Sequence, residues 1–172
     1  MDQGVATFGP VVEDGAALAA ALGLDPANLR DDVPLEAVST GNRQIIALAT
    51  SEDAVRRASP SGPALRPLLQ AADADGVYLA AFDANGGALA RAFFADLEIE
   101  EDPATGSAAG PLGAFLSAHA GLEGSLTIRQ GEQVGRPSVL EVDVERTAAG
   151  QRVRVAGGVF VVAEGAFMVG DT

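Results

Sequence analysis

Asp102, followed after Pro103-Ala104 by Thr105, Gly106 and Ser107, has the residue types and spacing to handle a small anion. A helix that begins here exposes backbone N–H groups with no partner inside the helix. Thr105, Gly106, Ser107 and Ala108 therefore form a candidate amide cradle, with the Asp102 carboxylate on its rim. Such a cradle binds an oxyanion without a cation, and it stabilises the negative charge that develops when a carbon beside a carbonyl loses its proton. Asp102 then serves as a general base or as an orienting acceptor. The same residues also suit an ordinary helix start, where a carboxylate contributes a few tenths to about 1 kcal/mol through the helix dipole and a polar residue caps the first turn.

The element that positions these residues is predicted to be a helix from Gly106 to about Ala120, with glycines at 106, 110 and 113 and no acidic residue, lysine or arginine. A helix apolar all round is buried on most sides, and its small residues let strands approach the backbone closely. Upstream, Met1 to Val12 reads as a short extended segment. Asp14 caps a helix that carries Leu18, Leu22 and Leu24. Leu35–Thr40 and Gln44–Thr50 read as strands joined across Gly41-Asn42. Ser51 opens a capped helix to about Ala58, and a further short helix carries Leu65, Leu68 and Leu69. Strands are expected at Gly76–Phe82 and Ala88–Leu97, joined across Asn85-Gly86-Gly87, and then at Ser125–Gln130, Val139–Arg146, Gln151–Ala156 and Val159–Ala163. The alternation in LEVDVE and RVRVA marks sheet faces with one wet side. Strands on both sides of one apolar helix imply an α+β domain in which a mixed, curled, barrel-like sheet wraps that central helix.

At 172 residues the chain makes one domain with a real core. Its 24 acidic and 11 basic residues give a formal charge of −13, which repels a phosphate backbone and argues against nucleic-acid binding. There are no cysteines, so disulfides, thiolate metal sites and cysteine nucleophiles are excluded. No apolar run reaches the length of a membrane span, and the expected location is the cytoplasm. Glu98, Glu100, Glu101 and Asp102 lack the spacing of a calcium loop and read as a solvated acidic run, so no metal is expected. The single histidine, His119, lies at the opposite end of the helix from Gly106, about 20 Å away at roughly 1.5 Å per residue, and reads as structural. Arg136, in the loop Gln130–Ser138, is either a contact for an anionic ligand or an exposed arginine on a strand connection.

The run EDPATGSAAGPLGAFL at 101–116, with RQGEQVGRPS downstream and STGN at 39–42, resembles the C-terminal half of the phenazine-biosynthesis PhzF-like isomerases. The resemblance covers nearly the whole chain. It implies half of a diaminopimelate epimerase-like fold, in which two similar domains each wrap a sheet around a helix and share an active site between them. Residues 1–172 would then be a single domain, and MDQG with FGP its interdomain entry strand. The implied chemistry is cofactor-free proton transfer that isomerises a small carboxylic acid. Asp102 would be the catalytic carboxylate, with Thr105, Gly106, Ser107, Ala108, Gly41 and Asn42 binding substrate.

Thr105 stands where epimerase relatives carry a catalytic cysteine, and is read here as an N-cap or a substrate hydroxyl contact. The resemblance also implies a preceding domain with an acid/base glutamate and a histidine loop, which these residues do not contain. STGN is followed by Arg43-Gln44, where the family commonly has proline and histidine. The expected partners are a small carboxylic acid together with a second copy or a separate N-terminal-domain chain. The alternative is a non-catalytic module that binds a small acid or oligomerises.

Overall fold

In a computed structural model of the chain, residues 1–82, 87–95 and 101–166 are described. A helix with no polar face has to be surrounded, and α4 (Gly106–His119) is: Ala108 through Ser117 are all buried. Its glycines explain how closely the strands approach. A Cβ on Gly113 would lie 2.7 Å from Val142 Cγ1 and 3.0 Å from Val144 Cγ2, and one on Gly110 would lie 1.9 Å from the Gln3 amide oxygen.

The surrounding wall is one mixed sheet of ten strands. In chain order these are β1 (Asp2–Val5), β2 (Thr7–Val11), β3 (Glu36–Ser39), β4 (Arg43–Leu48), β5 (Gly76–Phe82), β6 (Gly87–Phe93), β7 (Glu101–Asp102), β8 (Gly124–Gln130), β9 (Ser138–Thr147) and β10 (Gly150–Gly157). Their order across the sheet is β1-β10-β9-β8-β6-β5-β4-β3-β2, with β7 paired to β6 beside this path. The pairs β4/β5 and β6/β8 are parallel and the other pairs antiparallel. The two outermost strands, β1 and β2, are consecutive in the chain, separated only by Ala6, which is buried and donates its N–H to Gln151 O at 2.8 Å. One N-terminal stretch thus pairs with both edges of the sheet and nearly closes it into a barrel.

Outside the barrel lie α1 (Gly15–Ala21), α2 (Glu52–Arg57) and α3 (Gly62–Ala72). They cover Ala37, Ile45, Ala47, Val77, Leu79 and Leu89, while Val38, Ile46, Tyr78 and Ala90 face α4. Strands β3 to β6 are therefore apolar on both faces. In β8 to β10 only alternate residues such as Leu126, Ile128, Val142 and Val153 are buried, which is the one-sided wetting read from their sequence.

The caps follow the sequence: Asp14 Oδ1 accepts from Ala17 N at 2.8 Å and Ser51 Oγ from Ala54 N at 3.2 Å. The β3–β4 hairpin forms as expected. Two expectations change. The extended N-terminal segment is a pair of sheet strands, because its two halves meet different edges. The expected strand Val159–Ala163 does not pair with the sheet; Val159, Phe160, Val161 and Val162 are 88 to 94% exposed. The Asn85-Gly86 turn, and the Leu97 end of the expected Ala88–Leu97 strand, lie outside the described residues. Among the described residues no helix is long and apolar enough to cross a membrane.

The tight approach at Gly113 yields a stability test. Alanine has the better intrinsic helix propensity by about 1 kcal/mol, but its methyl group would press on Val142. Gly113→Ala should therefore destabilise the fold by roughly 1–3 kcal/mol in urea unfolding, and Val142→Ala in the same chain should restore part of the loss.

Candidate active site

The approach to α4 is fixed by a buried cation. Arg91, on β6, is 6% exposed; its Nε and Nη2 donate to the two Glu101 oxygens at 2.9 and 2.6 Å. Its Nη1 donates to Val55 O at 3.1 Å and Ala58 O at 2.6 Å, carbonyls at the end of α2, and its guanidinium lies 4.8 Å from the centre of the Phe93 ring. All three guanidinium nitrogens donate, and the Glu101 carboxylate balances the charge. Glu101 immediately precedes Asp102, and the clamp therefore sets where the Asp102 backbone leaves the sheet.

Beyond the clamp lies a polar network inside the barrel mouth. Tyr78 OH donates to Gln130 Oε1 at 2.7 Å, and Thr105 N donates to the same oxygen at 3.3 Å. Gln130 Nε2 donates to Asp102 O at 2.7 Å and to Thr105 Oγ1 at 2.9 Å. The Thr105 hydroxyl donates in turn to Asp102 Oδ2 at 2.6 Å. Thr105 does occupy the N-cap position of α4, but its side chain makes no capping hydrogen bond. The expected cap is thus corrected: the hydroxyl is turned towards Asp102 and away from the helix amides.

The two ends of α4 are consequently unequal. At the C-terminus, Gly121 takes a left-handed conformation (φ 73°) and Leu122 N returns to Leu116 O at 3.1 Å, while the Arg146 guanidinium donates to Ser117 O. At the N-terminus, Ala108 N and Ala109 N both donate to Thr105 O at 3.0 Å. The amides of Gly106 and Ser107 find no acceptor among the described residues. An open cleft of about 510 Å³ adjoins this end, lined by Ala104, Gly106, Ser138, Leu140, Val155 and Phe160 among others.

Comparison with known proteins matches residues 4–165 to the family described as phenazine biosynthesis-like protein. The chain belongs to this family. It is 31% identical over 154 residues to an uncharacterized isomerase of Clostridium acetobutylicum, covering 84% of this chain and 51% of that protein. It is 32% identical over 164 residues to the trans-2,3-dihydro-3-hydroxyanthranilate isomerase of Pseudomonas fluorescens, covering 91% and 54%. A PhzF-family structure from Bacillus anthracis superposes with a TM-score of 0.81 at 23% identity, over 91% of this chain and 56% of that one. A predicted epimerase from Pseudomonas aeruginosa gives 0.69 at 31% identity, over 95% and 58%. The chain thus spans about half the length of the curated relatives it matches.

Within this phenazine biosynthesis-like domain, Asp102, Thr105, Gly106 and Ser107 gather at one end of the barrel, whereas Ala108 has already given its N–H to Thr105 O. Gly41 and Asn42 are exposed at the β3–β4 turn, and Gly41 N donates to Ser39 Oγ at 3.0 Å. It is their neighbour Thr40 that reaches the helix: its hydroxyl donates to Gln3 Oε1 at 2.7 Å, and Gln3 Nε2 donates to Gly106 O at 2.9 Å. His119 sits at the far end, 3.0 Å from Glu36 and packed on Phe8 and Phe115, as its structural reading required. Arg136 has an exposed side chain, and its backbone closes the loop onto Gly131; a Cβ there would lie 2.3 Å from Arg136 O and 2.6 Å from Pro103 O. Glu98 and Glu100 lie outside the described residues. Among the described ones no group of three or more His, Cys, Asp or Glu side chains is placed to hold a metal.

Sequence reasoning missed Gln3, Tyr78, Arg91 and Gln130. The available signal was a polar or charged residue inside an otherwise apolar strand, most clearly Arg91 within GALARAF.

Burial, with a smaller contribution from the Asp102 charge, pushes the Tyr78 phenol well above its usual value of 10.0. Tyr78 is the chain's single tyrosine, and there is no tryptophan. Tyrosinate absorbance should therefore appear only as the protein unfolds in alkali. The sign follows from linkage: below about pH 10 both states keep the proton, whereas above it the unfolded state alone releases one, so stability falls as pH rises. A smooth tyrosinate titration in folded protein near the usual value would contradict the buried network.

Proposed function

We propose that this domain supplies one half of the active site of an isomerase that moves a proton on a small carboxylic acid without a cofactor. The observation that carries this reading is the diverted cap. Thr105 gives its hydroxyl to Asp102, leaving the Gly106 and Ser107 amides at the positive end of a buried helix. In this reading those amides hold the substrate carboxylate, and Asp102 accepts or steers the proton from the neighbouring carbon. Gly41 and Asn42, on the exposed turn above Thr40, close over the far side of a bound acid.

The other half of the site comes from a region equivalent to the part of the longer relatives that this chain does not span, in the same polypeptide or in a separate one in the cytoplasm. A second reading, an acid-binding or oligomerising module without chemistry, draws on a specific observation. Val159, Phe160, Val161 and Val162 form a run of exposed apolar side chains, which a second copy would cover.

The substrate named for the Pseudomonas fluorescens relative is an anthranilate derivative, so anthranilate is a suitable carboxylate probe and anthranilamide its uncharged control. Gly106→Pro deletes one cradle N–H at the helix position where proline is best tolerated, and a Cβ there meets nothing closer than Val155 Cγ1 at 4.0 Å. Losing one hydrogen bond to a charged group should weaken anthranilate binding by about 10- to 100-fold, with little change for anthranilamide. Asp102→Asn should keep binding within a few fold and, in the complete enzyme, reduce turnover by roughly 100-fold or more. Equal affinity for the acid and the amide would contradict the cradle, while Asp102→Asn turnover near wild type would remove Asp102 from the proton transfer.

A further inference from the structure

Gln130 has no solvent exposure, and both atoms of its amide are fully engaged. Two donors, Tyr78 OH and Thr105 N, converge on Oε1, and two acceptors, Asp102 O and Thr105 Oγ1, receive from Nε2. The orientation of this amide is settled by chemistry. A backbone N–H only donates and a backbone carbonyl only accepts, so exchanging the oxygen and nitrogen would set donor against donor at Thr105 and acceptor against acceptor at Asp102. The buried phenol of Tyr78 retains its proton and acts as a donor. Thr105 Oγ1 thus receives a hydrogen from Gln130, and its own single proton points to Asp102 Oδ2.

We propose that Gln130 is a positioning residue for Asp102: by holding the Thr105 hydroxyl as a donor, it fixes which carboxylate oxygen is occupied and which is left for substrate. The inference rests on the reading of Asp102 given under Proposed function and deepens it. A hydroxyl locked in this way neither takes a proton from a substrate nor rotates back to cap α4. Gln130 therefore sets two features of the site together, the orientation of the carboxylate and the openness of the amide cradle. The position standing in for the epimerases' thiol becomes a fixed donor to the neighbouring carboxylate.

The test is a double-mutant cycle that needs no ligand. Gln130→Glu keeps the side-chain length but places an acceptor where the amide donates, so the Thr105 hydroxyl turns to the new carboxylate and Asp102 loses its partner. In protein labelled with carbon-13 at the aspartate carboxyls, with Asp102 assigned through Asp102→Asn, Gln130→Glu should displace the Asp102 resonance. In a Thr105→Val background, where no hydroxyl is present to redirect, the same change should produce little further displacement. An unmoved resonance, or equal displacement in both backgrounds, overturns the proposal, because a side chain that only fills space would give one or the other. If Gln130→Glu does not fold, Gln130→Met carries the same cycle with the same expected dependence on Thr105. Failure of the carboxylate reading shows separately, as a wild-type chain that ignores anthranilate while the cycle still depends on Thr105.

Discussion

The structure depends on enclosing an apolar helix in a sheet without sealing both of the helix's ends. A helix inside a barrel contributes apolar surface on every side, but its terminal N–H and C=O groups still require partners, and their burial unpaired is costly. The C-terminal end of α4 meets the requirement internally, through the Gly121 turn and Arg146. The N-terminal end does not, since the residue at its cap position is engaged elsewhere. The Gly106 and Ser107 amides are left open by this incomplete helix start, and the proposed anion site rests on them.

Two devices hold this open end in place from opposite sides. Arg91 ties Glu101 to the end of α2, which anchors the strand that enters the site to a helix outside the barrel. Gln130 ties Asp102 and Thr105 to Tyr78 across the barrel interior. Gln3 adds a third tie, joining the closing N-terminal strand to Gly106 and to Thr40, and glycine at 110 leaves the room its side chain occupies. The site is therefore supported by strands distant in sequence that barrel closure brings together. Gln130 bonds the Asp102 carbonyl directly, and Arg91 holds the adjacent Glu101.

The sequence revealed what periodicity and local chemistry encode. The all-apolar pattern of α4, the alternation in β9 and β10, the Ser51 cap and the Gly41-Asn42 turn each depend on neighbours in the chain, and all are found in the fold. The Asp102 to Ser107 run was legible because its residues are contiguous. Gln130 and Tyr78 were not, because Gln130 meets Thr105 and Tyr78 meets Gln130 across the barrel, 25 and 52 positions apart in the chain. Arg91 was hidden for the same reason. The misread tail, Val159 to Ala163, has the composition of a strand, but both edges of the sheet are already taken by β1 and β2. Composition records strand propensity and not the availability of an edge.

The central claim is that the open start of α4 receives a carboxylate. It is tested most directly by following the backbone amide resonances of the chain during titration with anthranilate, with anthranilamide as the control. The largest shifts should fall on Gly106 and Ser107, should saturate, and should be absent with the amide. Saturating shifts that map elsewhere on the barrel, or that are the same for acid and amide, would show that the uncapped helix end is not the anion site.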